Sequence, residues 1–411
     1  AEADDQSPED RFFKELGTRL TFCNYLMVST SPFQGAFSAL PPDQTLLNPF
    51  GQYYFHIADN RSKINSNTQS CLEFVPGNQQ KTLQDICSGT FLANYVPCQT
   101  EADRSIYQNP AINQWLKSQL DEEDSSNVFS PGQRKSFAHL CADATVFGSD
   151  GKPKGEKLLA VLKADVDRLG MLFSKGLPKA NASLSYYISL SRQLDLFFSG
   201  IMPNLFLDPP REFHDFRNIY TVYAGGDDLL LVGPWRTMLK FASYLNKQLR
   251  KYTCCHPDIT LSAGISVCHS RFPLSQAASQ ADRALAKAKE NRDRICVFDT
   301  VLGWSAFEQA IEDGLFLDRM MQEGGADGIK AAKGFIYRLI HYCDMAENTG
   351  KLKNLLWRSH LRYDIARNVR VLDKNNSTGL NRLEKMTALT KNLNEMAQLK
   401  VAVTYCLYMN R

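Results

Sequence analysis

The spacing of apolar residues changes character twice along this chain. Up to residue 150, short apolar runs are divided by turn residues, and Asn24–Ser29, Gln52–Ile57 and Leu72–Val75 read as strands. Ala102–Gly132 is polar and helix-loop in character, and Ser136–Ala144 reads as a short helix before the turn at Gly151–Gly155. From 151 to 304 the alternation is clean. Lys157–Lys163 is a compact apolar run that predicts a strand ending at Ala164-Asp165-Val166-Asp167. Tyr186, Leu190, Leu194 and Phe197 have helical spacing within Ser183–Met202. The three prolines of 203–217 predict a loop. Ile219–Tyr223 and Asp228–Val232 read as strands around Gly225-Gly226. Next come a helix at Trp235–Thr253, a strand at Ile259–Val267, a helix at Pro273–Asn291 capped near Phe272, and a strand at Arg294–Phe298. From 305 to 411 the period is helical, with Phe307–Glu323, Gly328–Asn348, Leu355–Asn368 and Leu380–Tyr408 as candidate helices.

The middle stretch is therefore βαββαβ plus an extra strand, the order of a ferredoxin-like palm. The fold class is α+β, with three parts: an adaptor region of helices and strands at 1–150, the palm at 151–304 and a helical bundle at 305–411. A length of 411 residues suits two or three domains.

Composition adds less. Apolar residues make up 44% and charged residues 22%, an ordinary globular balance. The net charge is +3, yet 331–411 carry 14 Lys/Arg against 6 Asp/Glu, a net of +8. Such a stretch reads first as a solvated helical face and second as a surface for RNA or an acidic partner. The eleven cysteines have no regular framework and no Cys-x-x-Cys pair, which fits reduced thiols in a cytoplasmic protein and gives a zinc ribbon no support. Cys87 with Cys98, or Cys254, Cys255 and His256, are the only conceivable ligand groupings of that kind. No signal peptide is recognisable, and no apolar run reaches the roughly 18 residues that a membrane span requires.

The chemistry concentrates at Gly225-Gly226-Asp227-Asp228. Two glycines make a tight hairpin whose backbone can come close to a phosphate. Two carboxylates at its tip repel unless a cation neutralises them, and Mg2+ or Mn2+ does so with oxygen ligands. In a ferredoxin-like sheet the strand ending at Asp165 lies beside the strand that follows the hairpin, so Asp165, Asp227 and Asp228 converge. Two ions there would activate an attacking hydroxyl and stabilise leaving pyrophosphate. Asp167 is read as a supporting group or helix cap, with a ligand role as the alternative. Ala281, Ala284, Leu285 and Ala288 form a small apolar stripe, and Lys289 near the helix end is placed to reach a triphosphate, ahead of Lys287. Each piece alone has a plain structural reading. The joint pattern, with the two acidic motifs about 60 residues apart, does not.

At these residues the chain resembles the GGDEF/adenylyl-cyclase palm superfamily, through 162–177, 223–230, 260–267 and 281–289. More closely, Val161–Gly170 with Phe173–Leu177 resembles the second palm of the large polymerase-like subunit of type III-A CRISPR effector (Csm) complexes. Ser136–Leu140 fits the lead-in to that palm, and Phe335–Leu339 with Tyr363–Asn368 its C-terminal helical domain. The resemblance is weaker at Phe13–Leu20 and Gly89–Pro97. It implies an ATP-using nucleotidyltransferase that makes cyclic oligoadenylates when CRISPR RNA pairs with target RNA inside a complex of other subunits. By matching positions, Asp165, Asp227 and Asp228 would hold the metals. The backbone of Val166, Leu169 and Gly170, with Ser174, Gly225, Gly226 and Lys289, would line the nucleotide.

The departures are also specific. Neither an HD nuclease domain, nor a first palm, nor a segment of paired cysteines is recognisable. The His214-Asp215 dipeptide lies in the proline-rich loop, so no DNA cutting is expected from it. Diguanylate cyclases carry Asn after the first metal Asp, whereas 168–175 contain none, and Leu229 and Asp228 depart from their signature. A non-catalytic scaffold that seats neighbouring subunits and guide RNA is the remaining alternative. Against it, clustered carboxylates cost stability without an ion.

Overall fold

The computed structural model describes three strands at 25–29, 54–58 and 68–73 by backbone alone. It also describes residues 95–411 except 122–126, 149–150, 176–183, 323, 348–353, 355, 374–375 and 389–392. Within the latter, 173–175, 184–187, 388 and 393–394 are described by backbone only. The chain divides into two units, 1–89 and 90–411.

In the first unit β1 (Tyr25–Ser29) lies between β2 (Tyr54–Ala58) and β3 (Thr68–Glu73), both antiparallel to it. Cys87 and the Phe13–Leu20 resemblance lie outside the described residues.

The second unit begins with short helices α1 (Arg104–Tyr107), α2 (Pro110–Gln119) and α3 (Phe137–Ala142). Asn109 caps α2, accepting from the Ala111 amide, and Pro110 occupies the first turn, where its missing N–H costs nothing. A two-residue pair, β4 (Val146–Phe147) and β5 (Pro153–Lys154), leads to the palm.

The palm sheet contains β6 (Leu159–Val166), β7 (Tyr220–Gly225), β8 (Asp228–Pro234), β9 (Leu261–Cys268), β10 (Arg294–Val297) and β11 (Thr300–Gly303). Their order is β11-β10-β9-β6-β8-β7. Within it, β9-β6-β8-β7 is the expected ferredoxin-like core, and β10 joins parallel to β9. Between β6 and β7 run α4 (Leu169–Lys175), α5 (Leu184–Asp195), a π-helical turn at Leu196–Ile201 and α6 (Met202–Leu207). The helix therefore continues past Pro203, where a loop was expected. Pro203 sits in the first turn after the π-helical break, and a 3-10 segment at Arg211–Asn218 follows.

The long helices α7 (Trp235–Tyr252) and α8 (Leu274–Asn291) link β8 to β9 and β9 to β10. They have strong apolar stripes that pack on opposite faces of the sheet. Phe241, Leu245 and Leu249 of α7 join Ala160, Leu162 and Ala164, while Ala277 and Ala281 of α8 join Leu159 and Val161. The alternation of β6 separates these two sets. Each large buried side chain such as Phe241 contributes about 1.5–3 kcal/mol.

The C-terminal helices are α9 (Trp304–Met321), α10 (Lys333–Glu347), α11 (Trp357–Asn368), α12 (Thr378–Ala388) and α13 (Leu393–Met409). The helix expected over 328–348 is shorter at its start, because β12 (Ile329–Ala331) pairs with β13 (Val369–Val371). Of the helix expected over 380–408, the described parts are α12 and α13, on either side of 389–392. This bundle shares one apolar core with the palm: Trp235 meets Tyr405 at 5.3 Å between rings, and the Trp304 indole donates to Leu261 O at 3.0 Å. The end of α13 closes against the lead into β6. The Gly155 amide donates to Arg411 O and the Glu156 amide to Tyr408 O. No described helix is long and apolar enough to cross a membrane.

Candidate active site

Three strand ends meet at the site. In the β6–β8 register Asp165 stands opposite Asp228, and in the β7–β8 register Gly225 stands opposite Asp228. The turn closes through Gly226 at a φ of 65°, a conformation that a side chain resists. The Val166 amide donates to Asp227 O at 3.0 Å and ties the end of β6 to the hairpin tip. Asp165 and Asp228 thus meet in backbone register, and Asp227 lies at the turn beside them. This tie engages the Val166 amide.

Lys289, in the last turn of α8, contacts Asp165 Oδ1 with its Nζ at 2.6 Å. Burial at the strand end raises the Asp165 carboxyl above its usual range. Lys289 pulls it back, and the charges of Asp227 and Asp228 raise it further. Lys287 does not join the site, because it is ion-paired with Asp299. Lys163, two residues before Asp165, is held by Asp282 at 2.6 Å.

Asp167 is held by protein donors. Its nearly buried carboxylate accepts from Thr260 Oγ1 and Ser262 Oγ, each at 2.7 Å, and from the Asp293 amide at 2.9 Å. Arg292 and Asp293 both have positive φ after the end of α8, and this turn brings the Asp293 amide to Asp167. Asp167 thus pins the end of the helix that carries Lys289. Arg168, at a φ of 56°, turns the chain from β6 into α4, whose first turn holds Leu169 and Gly170. Such a conformation in a non-glycine residue is uncommon and concentrates at functional sites. Ser174 lies on α4, and its side chain is outside the described set.

Sequence reasoning missed three residues. Asp195, at the end of α5, accepts from the Gly226 amide at 3.3 Å and from Ser199 Oγ at 3.0 Å. Ser199 belongs to the π-helical turn, a feature that recurs at functional sites. Tyr223 donates to Gly225 O at 3.3 Å; burial, then Asp228, raises its phenol. A polar pair at i and i+4 beside the apolar stripe of α5 was the available signal for Asp195 and Ser199.

The donor chemistry of Asp165, Asp227 and Asp228 is all carboxylate, which suits hard divalent cations. Among the described residues no three His, Cys, Asp or Glu side chains are arranged as a metal cage. That statement includes Cys254, Cys255 and His256, the two cysteines being exposed. His214 and Asp215 are an exposed ion pair in the 3-10 segment, apart from these strand ends.

Parts of this chain are similar to known proteins. Residues 158–296 match the family model for Cas10/Cmr2, second palm domain. A Methanocaldococcus jannaschii protein named CRISPR system single-strand-specific deoxyribonuclease Cas10/Csm1 (subtype III-A) is 33% identical over 168 residues, 36% of this chain and 21% of the relative. The protein of the same name from Enterococcus italicus is 30% identical over 236 residues, 56% of this chain and 29% of the relative. Less than a third of either relative's length is therefore matched. Among solved structures, a Csm1-Csm4 cassette in complex with cA3 superposes with a TM-score of 0.57 at 18% identity, over 98% of this chain and 50% of that one. A Csm1-Csm4 cassette in complex with AMPPNP gives 0.54 at 18%, over 94% and 49%. At that identity the likeness is one of fold. Residues 158–296 thus match the Cas10/Cmr2 second-palm model, and parts of the chain are similar to the proteins named Cas10/Csm1 (subtype III-A).

Proposed function

We propose that this chain is the nucleotidyltransferase part of a type III CRISPR effector, joining ATP into cyclic oligoadenylates when target RNA is bound. The observation that carries the reading is the meeting of Asp165 and Asp228 across paired strands, with Lys289 in contact with Asp165. Asp165, Asp227 and Asp228 would hold Mg2+ or Mn2+, which would supply activation of a ribose hydroxyl and charge stabilisation at the leaving pyrophosphate. The chain's own part is orientation. Asp195 and Tyr223 steady the hairpin backbone, Asp167 fixes the end of α8, and Lys289 offers a cation to the triphosphate. The backbone of Val166, Leu169 and Gly170, the last two in the first turn of α4, belongs to the proposed nucleotide lining. Ser174, Gly225 and Gly226 complete the proposed nucleotide lining.

The proposed partners follow the relatives: neighbouring subunits such as Csm4, with CRISPR RNA and target RNA reached through the complex, in the cytoplasm. The division at 151 and 304 belongs to the same reading, supported by the palm match that falls inside it.

Calorimetric titration of ATP and GTP with Mn2+ tests the reading. The expected result is metal-dependent ATP binding that is lost in Asp227→Ala/Asp228→Ala, with GTP weaker. GTP binding tighter than ATP, or ATP binding unchanged in the double variant, would overturn it.

A further inference from the structure

The Lys289–Asp165 ion pair sets a constraint on how the site fills. An ammonium 2.6 Å from Asp165 Oδ1 competes with a divalent ion for that oxygen. Two cations cannot share it closely, since their repulsion in a partly desolvated site is severe.

Lys289 is held there by the fold. Gly264 lets α8 lie directly on β9, and Asp167 holds the Asp293 amide just past the helix end. Among the described lysines, Lys163 is paired with Asp282 and Lys287 with Asp299. With Lys289 on Asp165, the net negative charge of the three carboxylates is reduced without any ion.

We propose that Lys289 is an interlock that occupies Asp165 until nucleotide arrives, then moves to the triphosphate and releases Asp165 to the metal. The inference rests on the functional reading above and goes one step beyond it. Metal and nucleotide load together because the nucleotide gives Lys289 a new partner. The site thereby avoids filling with divalent ions when no substrate is present. By linkage the coupling is reciprocal: each ligand tightens the other by the same factor.

The experiment is Mn2+ titration by calorimetry, with and without a non-hydrolysable ATP analogue, on the native chain and on Lys289→Gln, Lys289→Arg and Asp165→Asn. In the native chain the analogue tightens Mn2+ binding, by a factor within the roughly 5- to 150-fold range of ordinary couplings. Lys289→Gln binds Mn2+ alone several-fold tighter than native, binds the analogue more weakly, and loses most of the coupling. Lys289→Arg, which keeps the charge, binds Mn2+ alone as weakly as native. A ligand-binding role for Lys289 without the interlock would weaken analogue binding but leave Mn2+ alone unchanged in Lys289→Gln, and that result overturns the proposal. Mn2+ binding that persists unaltered in Asp165→Asn would overturn the functional reading itself, and the interlock with it.

Discussion

Gly264 of β9 and Leu285 of α8 are in backbone contact: a Cβ at 264 would lie 2.1 Å from the Leu285 amide nitrogen and 2.4 Å from Ala281 O. Gly264 also pairs with Lys163 in the β6–β9 register, two residues from Asp165. The closeness of helix to sheet at this point is what brings Lys289 within reach of Asp165. Gly264→Ala has backbone on the other side of the clash, so α8 must lift. We expect a loss of at least the roughly 1–3 kcal/mol typical of overpacking. Analogue binding should be lost in whatever fraction stays folded. Gly303→Ala, where nothing stands within 4 Å, is the control and should stay near native in urea unfolding.

Asp165 and Asp167 are two residues apart and should behave oppositely. Asp167→Ala strands Ser262 Oγ, which is buried, and the Asp293 amide. At about 1–3 kcal/mol for each unsatisfied group, the variant should lose on the order of 3 kcal/mol. Asp165→Ala removes a carboxylate that faces Asp228 and should stay within about 1 kcal/mol of native stability in metal-free buffer. Denaturant midpoints of the two variants, measured side by side, check the contrast.

Asp195→Ala removes the acceptor of the Gly226 amide and of Ser199 Oγ. Expected are a stability loss of about 1 kcal/mol and a several-fold weaker analogue affinity in the presence of Mn2+. Asp195→Asn keeps an acceptor oxygen and should restore most of the affinity. Equal loss in both variants would show that the charge, and not the hydrogen bond, is what matters.

The pH dependence of stability should show the network under the palm. Lys135, fully buried, holds Asp103 at 2.9 Å, Asp143 at 2.8 Å and Asn218 at 2.8 Å, and the Tyr107 hydroxyl donates to Asp143. Burial pushes Asp143 from 3.8 up to about 6, against the pull of Lys135. A carboxyl whose folded pKa is raised favours the native state as pH falls from about 6 toward 3.8. Native protein should therefore gain on Asp143→Asn across that window, by on the order of 1–3 kcal/mol. Asp103, despite burial, is held below 3.8 by Lys135 and Thr100. Its contribution has the opposite sign and is lost only below that window. Thermal melts of both proteins between pH 4 and pH 7 read the difference.

Much of the palm was legible because its signals are local. Apolar runs of strand length, a glycine pair between two of them and helical stripes in α7 and α8 gave the order of elements, and the order gave the placing of Asp165 beside Asp228. The misreadings arose where a non-local partner decides. Ile329–Ala331 sits in a helical pattern but is drawn into a strand by Val369–Val371. Pro203 reads as a breaker, yet it falls where a π-helical turn has already interrupted the hydrogen-bond ladder. The partners of Asp167 could not be named from sequence, since its three donors come from β9, the residue before β9 and the turn after α8. Lys289 was picked out for a phosphate. Its contact with Asp165 depends on the depth to which α8 seats at Gly264, which no residue spacing reveals.

The joint between the end of α13 and the lead into β6 ties the bundle to the strand that carries Asp165. Tyr408 O and Arg411 O grip the chain at Glu156 and Gly155, and Asp165 lies at the other end, roughly 30 Å along an extended backbone. A β-strand does not stretch. Because both bonds are made by backbone atoms, a side-chain substitution at Tyr408 leaves them in place, and the strand that carries Asp165 stays tied to the last helix of the bundle.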